Sequence, residues 1–243
     1  KLQRRFLLKP IMKVKVFIYL LIGGLLASCS ASKKAQKAYN RGEFQNAIEK
    51  YEAILKDNPN DAEANFMLAE SYRQSNRINK AAPFYKNSIE NGIKNDSVGF
   101  FYAYALKSNG EYSNANKQLE QYIASTKNEF YLKRANDEVQ NIGYLDKLRE
   151  KESFFRVKNL DKINTSEADY SPIYEDGYLY FTSSRSDKSK VYKATGTPFS
   201  NIYRAPTEGA NVDVDKVEIL SDVINNYDIN EGSVTFSPDG KSM

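Results

Sequence analysis

Residues 35–51 (AQKAYNRGEFQNAIEKY) decide the fold of the N-terminal part, because their pattern returns at residues 69–85 (AESYRQSNRINKAAPFY) and 103–119 (AYALKSNGEYSNANKQL). The period between the copies is 34 residues. The matching columns are Ala35, Ala69 and Ala103; Ala47, Ala81 and Ala115; Phe44, Ile78 and Tyr112; Tyr51, Tyr85 and Leu119; and Gly42, Asn76 and Gly110. A fixed period of this length predicts a stack of similar structural units rather than one closed core.

The columns resemble those of the tetratricopeptide repeat, in which each unit is a helical hairpin. The resemblance implies that the alanines let the two helices approach closely while the large residues fill the spaces between them. Gly42, Asn76 and Gly110 are turn formers that can adopt a positive φ. Two features depart from the family pattern: no first helix has a tryptophan, and Ile93 stands at the third repeat boundary where proline is usual.

Residues typical of helix ends mark the boundaries of the repeats. Residues 57–61 (DNPND) combine a helix breaker with Asp61 as an N-cap candidate. Residues 129–151 predict a further helix, and a solenoid needs such a helix as its terminal cap. Its apolar residues at helical spacing are Leu132, Val139, Ile142, Leu145 and Leu148. We therefore expect three repeats and a capping helix over residues 33–152.

The resemblance also implies a partner-binding groove, because the first helix of each hairpin lines a concave face in such solenoids. In the register of this sequence, the groove residues are Gln36, Tyr39, Asn40, Glu63, Phe66, Glu70, Arg73, Gln74, Phe100, Tyr104 and Lys107. Aromatic anchors among amide and charged groups suit an extended peptide or a partner's helix. For each residue the alternative is structural, an aromatic ring in the core or a solvated charge.

Basic, apolar and small-residue regions precede Cys29 in the order of a secretory signal. Lys13 and Lys15 come before an apolar run at residues 16–26, which is shorter than the roughly 20 residues that a membrane span needs. Residues 26–29 (LASC) resemble the lipobox of bacterial lipoproteins, which implies that Cys29 is lipidated. The alternative is a buried thiol behind an ordinary cleaved signal. We expect a signal peptide at 1–28, with Met12 as the true start, and a lipidated tether at 29–32.

The lipidation implies a location as well. Several acyl chains hold a protein firmly at a membrane, whereas a single chain holds it only marginally. No aspartate follows at the second mature position and no acidic cluster follows Cys29. The resemblance therefore implies an outer-membrane lipoprotein on the periplasmic face, with the outer membrane as a partner through Cys29.

Past Glu152 the pattern changes from helical spacing to alternation and turns, which predicts an all-β region over residues 153–243. The predicted strands are residues 154–157, 178–181, 201–204 and 216–220.

Within the all-β region, residues 168–181 (ADYSPIYEDGYLYF) have an echo at residues 230–243 (NEGSVTFSPDGKSM), about 62 residues on. Each copy places an aromatic residue before an Asp-Gly turn, which is typical of tight hairpins. With residues 182–185 (TSSR) after the first copy, the pattern resembles the TolB-type, WD40-like propeller repeat. The resemblance implies a first blade and the start of a second. Because one blade cannot bury both faces of its sheet, we interpret the region as a truncated propeller. The predicted fold class is α+β multidomain, a repeat solenoid followed by this segment.

The order of signal, lipobox, repeats and blades resembles a family of Gram-negative envelope lipoproteins of the OmpA-family type. Relatives continue into an OmpA-like peptidoglycan-binding domain, and some belong to the type IX secretion and gliding-motility apparatus. The resemblance implies peptidoglycan as a partner only through a C-terminal domain that these residues do not contain.

Composition excludes several kinds of chemistry. Histidine is absent and Cys29 is the single cysteine, which excludes His-based acid/base relays, Cys-His nucleophiles and intrachain disulfides. Without the six basic residues before Cys29, 29 basic residues face 31 acidic ones, so no nucleic-acid partner is expected. Asp213 and Asp215 could converge on a cation if they alternate along a strand, but solvated carboxylates are the favoured interpretation. Ser183 has no base placed beside it. We expect no catalytic residue, metal or cofactor.

The leading functional hypothesis is a non-enzymatic scaffold that docks envelope proteins on the repeat groove. The alternative is a ligand sensor or a carboxylate-dependent hydrolase in the propeller channel. Acid pairs recurring at blade tips would favour the alternative.

Overall fold

The computed structural model describes residues 30–151, 159–185, 190–209, 211–226 and 228–243. The chain divides into two compact units, one ending at Leu145 and the other beginning at Asp146. Cys29 with its lipobox, and the strand predicted at residues 154–157, lie outside the described residues.

The first unit is a helical solenoid, in which each helix from α2 to α6 packs on the next one along the chain. Its helices are α1 at residues 30–40, α2 at Phe44–Asp57, α3 at Ala62–Gln74, α4 at Ala82–Glu90, α5 at Val98–Ser108, α6 at Tyr112–Ser125 and α7 at Glu129–Gly143; a short helix, α8 at Leu145–Arg149, begins at the last residue of this unit. A 3-10 turn at Ile78–Lys80 precedes α4. Among the described residues, every helix falls short of the length and apolar character needed to cross a bilayer.

The alanine columns lie at the contacts between these helices. Each of the six alanines at the repeat positions is at most 1% exposed, and Tyr51, Tyr85 and Leu119 are at most 2% exposed. Because an alanine side chain is a single methyl group, the backbones approach closely while the large residues fill the remaining space. The packing that the 34-residue period predicts is confirmed.

The turns between paired helices have the predicted left-handed backbone. The φ angles are 71° at Gly42, 58° at Asn76 and 76° at Gly110. Glycine adopts this region without steric cost, and asparagine tolerates it better than most residues. The three turns therefore repeat the same geometry with two residue types.

Asp61 is the N-cap of α3, as predicted. Its side-chain oxygen accepts a hydrogen bond of 2.9 Å from the backbone N–H of Ala64. The buried amide of Asn65 donates to the carbonyl oxygens of Pro59 and Asp61. The loop that separates the first two repeats is thus fixed by side chains as well as by its proline.

The predicted capping helix is broken in the structure. Instead of one helix over residues 129–151, α7 ends at Gly143 and α8 starts at Leu145. Glycine is a poor helix former because it loses the most backbone freedom on folding, which accounts for the stop at this point. Ala135 is the buried residue of α7, whereas Leu148 is 57% exposed and does not contribute to the core.

The second unit is an antiparallel sheet. Its strands are β1 at Asp169–Glu175, β2 at Tyr178–Ser183, β3 at Asn201–Glu208, β4 at Asn211–Val212 and β5 at Glu218–Ile219. The order is β1-β2-β3, and both β4 and β5 pair with β3. Asp176 and Gly177 close the first hairpin with φ angles of 44° and 76°, so the predicted tight turn is confirmed.

One face of the sheet packs on a small apolar core. Ile163, Leu179, Phe181, Tyr203 and Ala205 are its buried residues. Leu179 and Phe181 alternate along β2 and Tyr203 and Ala205 along β3, as expected for side chains that share one face of a sheet, whereas Ile163 precedes the strands.

Two parts of the predicted β pattern differ. Within residues 216–220 only Glu218–Ile219 forms a strand, because the chain just before it makes a 3-10 turn at Val214–Lys216. The second copy of the hairpin motif contributes no strand in the described residues. It lies alongside the first copy instead, with Ser233 Oγ 2.8 Å from Ser171 Oγ and with the Phe236 and Tyr180 ring centroids 5.0 Å apart.

Candidate partner-binding face

Side chains of successive first helices contact one another along one side of the solenoid. The Arg73 guanidinium of α3 lies 4.1 Å from the ring centroid of Phe101 on α5. The Tyr104 hydroxyl of α5 donates a 2.8 Å hydrogen bond to Glu138 of α7. We use the term first-helix face for the surface that the side chains of α1, α3, α5 and α7 form on this side of the solenoid.

Glu70 is the buried centre of this face. The carboxylate is about 7% exposed and accepts a 2.5 Å hydrogen bond from the Tyr85 hydroxyl of α4. Arg73 donates to both carboxylate oxygens, from Nη2 at 2.6 Å and from Nε at 3.0 Å. Two parallel bonds of this kind fix the orientation of an arginine as well as its charge.

The electrostatics of this centre favour fixed protonation states. Burial and the Glu70 carboxylate raise the pKa of Tyr85 above its usual range, so Tyr85 remains a neutral donor. Burial acts to lower the pKa of Arg73, but the hydrogen bonds and charge of Glu70 outweigh it and raise that pKa. Tyr39 of α1 also has a raised pKa, from burial and from Glu70. The charges of Arg73 and Glu70 compensate each other.

The α1 end of the face is polar. Gln36 accepts a hydrogen bond of 3.2 Å from the Tyr51 hydroxyl and donates one of 2.8 Å to Asn40. Burial, with a contribution from the charge of Glu63, raises the pKa of Tyr51 to about 12. These contacts hold the amide of Gln36 in place at the surface.

At the α7 end, Glu138 joins two helices. It accepts from the Tyr104 hydroxyl and forms an ion pair with Lys107, both on α5. Burial acts to raise the pKa of Glu138, but the bonds from Lys107 and Tyr104 lower it below its usual value. Lys107 is therefore already paired in the free protein.

The structure separates the predicted groove residues into two groups. Gln36, Tyr39, Asn40, Arg73, Tyr104 and Lys107 reach the surface of the face, as do the flanking Glu63 and Gln74. Phe66 and Phe100 are 8% and 0% exposed, and with Glu70 they lie beneath the surface. Phe100 is covered because α7 lies over it, with its ring centroid 5.1 Å from that of Tyr131. Phe66 and Phe100 are thus core residues, which corrects their assignment as surface anchors.

Sequence reasoning missed the contribution of α7 to this face. Arg134 and Glu138 stand 34 residues after Phe100 and Tyr104, so the repeat period itself would have found them. Because the sequence predicts residues 129–151 only as a cap, the predicted groove does not include them. The face therefore extends one helix further than predicted.

The candidate residues of the second unit serve the sheet itself. Ser183 Oγ accepts from Nε of Arg185 at 2.7 Å, and Arg185 pairs with Asp169 at 2.6 Å. Burial acts to raise the pKa of Asp169, but its hydrogen bonds, among them those from Ser183 and Thr165, lower it. These contacts join the end of β2 to the start of β1.

Asp213 and Asp215 do not alternate along a strand, because Val214–Lys216 is a 3-10 turn. Each pairs with a lysine, Asp213 with Lys216 at 2.8 Å and Asp215 with Lys162 at 2.9 Å. Within the described ranges, no group of three or more acidic or thiol side chains is placed to hold a metal ion.

Comparison with known proteins agrees with the helical repeats. Residues 32–96 match the sequence model of the tetratricopeptide repeat family. The chain is similar to the type III secretion translocator chaperone SycD of Yersinia enterocolitica, at 19% identity over 49% of this chain and 84% of that one, with a TM-score of 0.43. SycD in complex with a peptide of the translocator YopD matches at 20% identity, over 50% and 93% of the two chains, with a TM-score of 0.42. The TPR domain of Sgt2 from Aspergillus fumigatus matches at 18% identity, over 55% and 90%, with a TM-score of 0.44. No curated protein matches the sequence.

The repeat columns, the helix pairs and the family match together define the class of the first unit. It is a tetratricopeptide-repeat-like solenoid, followed in the chain by an antiparallel sheet. Solenoids of this kind present extended surfaces that suit interaction with other proteins.

Proposed function

We propose that this protein is a protein–protein interaction scaffold whose first-helix face binds an extended segment of a partner. The observation that carries the proposal is the row of partly exposed Tyr39, Arg73 and Tyr104 on α1, α3 and α5. Tyrosine and arginine are enriched among the few residues that dominate the binding energy of protein interfaces.

The contacts beneath the row support the proposal. Arg73 is held by Glu70 and by the ring of Phe101, and Tyr104 is held by Glu138. Side chains that are already ordered lose little conformational entropy on binding, so a larger share of their contact energy appears as affinity. An extended segment is favoured because the row spans the successive first helices α1, α3 and α5.

We further propose that lipidated Cys29 ties this scaffold to the periplasmic face of an outer membrane. The support is the order of basic, apolar and small residues before Cys29 in the sequence. Attachment to peptidoglycan, or membership of the type IX secretion apparatus, is proposed only for a longer parent protein, on the resemblance of module order.

The sheet of the second unit is proposed as the first blade of a TolB-type propeller. The antiparallel path β1-β2-β3-β5 supports this proposal, since a blade is a four-stranded antiparallel sheet. The two-residue β4 is an addition beside β3.

The test is the selection of linear peptides from a phage-displayed random library on the purified full chain. Binding of the selected peptides is then compared between two matched surface variants, Gln74→Arg on the first-helix face and Gln121→Arg on α6. We expect Gln74→Arg to weaken binding about tenfold or more, because the longer side chain obstructs the row. Equal binding by both variants would contradict the assignment of the face.

A further inference from the structure

Arg134 of α7 holds its charge over a group of aromatic rings. The guanidinium lies 5.1 Å from the centroid of Phe100, 5.5 Å from that of Phe130 and 5.9 Å from that of Tyr104. The arginine is exposed, and it forms no ion pair with any carboxylate in the described part of the chain. Its position is thus fixed by these rings and by a contact with the Tyr104 hydroxyl, while its remaining N–H groups can still donate.

The other two cations of the first-helix face are already compensated. Arg73 forms a bidentate pair with Glu70, and Lys107 pairs with Glu138. Glu138 is close enough to Arg134 for the positive charge to contribute to its lowered pKa, but Lys107 and Tyr104 occupy its oxygens. Of these three cations, Arg134 is therefore the one without its own carboxylate partner.

An apolar surface lies directly beside this charge. Phe130 stands one helical turn before Arg134 on α7, and its ring is 64% exposed. Phe130 packs edge-on against Tyr131, and the outer surface of its ring is open to a partner. A guanidinium and an exposed ring therefore sit side by side at the α7 end of the face.

We infer that Arg134 binds a carboxylate of the partner segment while Phe130 contacts an apolar side chain next to it. The inference rests on the proposed function and adds the chemistry of the partner, a protein segment with Asp or Glu beside an apolar residue. The planar guanidinium matches a carboxylate with two parallel hydrogen bonds, and it can keep its stacking on the rings at the same time. Because the rings already order the side chain, less entropy is lost when the carboxylate binds.

The probe is the set of peptides selected on the full chain, each synthesised also with its acidic residues changed to the matching amides. Wild type is expected to bind the acidic peptide about tenfold more tightly than the amide peptide, in keeping with a charge-assisted bidentate pair. Arg134→Gln should remove this preference. Arg134→Lys should keep only part of it, since a lysine cannot donate two parallel hydrogen bonds to one carboxylate. Lys117→Gln removes a positive charge from exposed α6 and should leave the preference unchanged.

The outcomes separate this inference from the proposal on which it rests. If the selected peptides lack acidic residues but lose affinity for Gln74→Arg, the face binds peptides and the role of Arg134 is overturned. An acidic preference that survives in Arg134→Gln also overturns it. If the selected peptides bind Gln74→Arg and Arg134→Gln as tightly as wild type, both the face and its acidic preference are refuted. Because Arg134 is exposed, circular dichroism should show these variants folded like wild type.

Discussion

The Tyr85 hydroxyl on α4 donates a 2.5 Å hydrogen bond to the Glu70 carboxylate on α3, within a single repeat. The bond joins the second helix of the pair to the first and leaves the outer side of the carboxylate to Arg73. A core contact and a surface residue are therefore parts of one network. A change at Tyr85 should affect both stability and the geometry of the face.

Tyr85→Phe should destabilise the helical unit by about 1–3 kcal/mol, because a buried carboxylate loses a hydrogen bond that nothing replaces. Urea unfolding followed by far-UV circular dichroism measures the change. Tyr102→Phe is the control, since the Tyr102 hydroxyl makes no hydrogen bond within the described residues and is only half-buried. Equal stabilities of the two variants would show that the Glu70 bond contributes nothing.

Substitution of the turn glycine should reveal the left-handed backbone. Gly42→Ala should destabilise the protein by about 1 kcal/mol, because φ is 71° there although the space around it is open. Gly143→Ala at the end of α7 should instead stabilise it by about 0.5 kcal/mol, since its φ is not positive and no atom obstructs a methyl group. Thermal unfolding of both variants checks the pair. A shift of the same sign in both would contradict the assigned turn geometry.

The ion pair at the α7 end should give a defined pH dependence. Since the folded-state pKa of Glu138 lies below its usual value of 4.5, its contribution to stability is present above that pH and is lost as the pH falls through the lower value. Wild type should therefore be more stable than Glu138→Gln at neutral pH, and the difference should shrink below about pH 4. Unfolding free energies measured across this range test the sign. A difference that grows on acidification would contradict the Lys107 and Tyr104 contacts.

In the second unit, the side chain of Asn225 forms hydrogen bonds with β3 that the backbone of a neighbouring strand would otherwise form. Its buried amide accepts from the Ile202 N–H at 2.7 Å and donates to the Ile202 and Leu220 carbonyl oxygens. Asn225→Ala should cost about 2–3 kcal/mol, because a buried N–H of β3 is left without its partner. The neighbouring Asn226→Ala, at an exposed position, is the control and should cost under about 1 kcal/mol. Near-UV circular dichroism and urea unfolding follow the sheet.

The membrane proposal has an independent test in a Gram-negative host. Labelled palmitate should enter wild type, and Cys29→Ser should abolish both labelling and sedimentation with outer membranes, because the acyl chains supply the anchor. A Cys29→Ser variant that still sediments with outer membranes would refute the lipid anchor while leaving the face untouched.

The sequence predicted the parts of the fold that depend on spacing. The alanine columns, the turns at Gly42 and Gly110 and the cap at Asp61 follow from period and residue type alone, and each is confirmed. The tight turn at Asp176-Gly177 is likewise predicted from residue type and confirmed. The turns and the cap are local, and the alanine columns recur at a fixed spacing, so each can be predicted before the tertiary contacts are known.

Burial on the first-helix face could not be predicted in the same way. Phe100 and Tyr104 stand one turn apart on α5, yet Phe100 is fully buried and Tyr104 reaches the surface. The difference comes from the ring of Tyr131 on α7, which covers Phe100. Contacts between helices therefore decide which of the two rings is buried. Phe100→Ala would therefore test the core, and a binding test must leave Phe100 in place.

Amide chemical-shift mapping of the full chain with a selected peptide tests the central claim most directly. The account predicts shifts along α1, α3, α5 and α7, largest near Tyr39, Arg73, Tyr104 and Arg134. Shifts confined to α2, α4 and α6, or to the strands of the second unit, would contradict the claim that the first-helix face binds partner proteins.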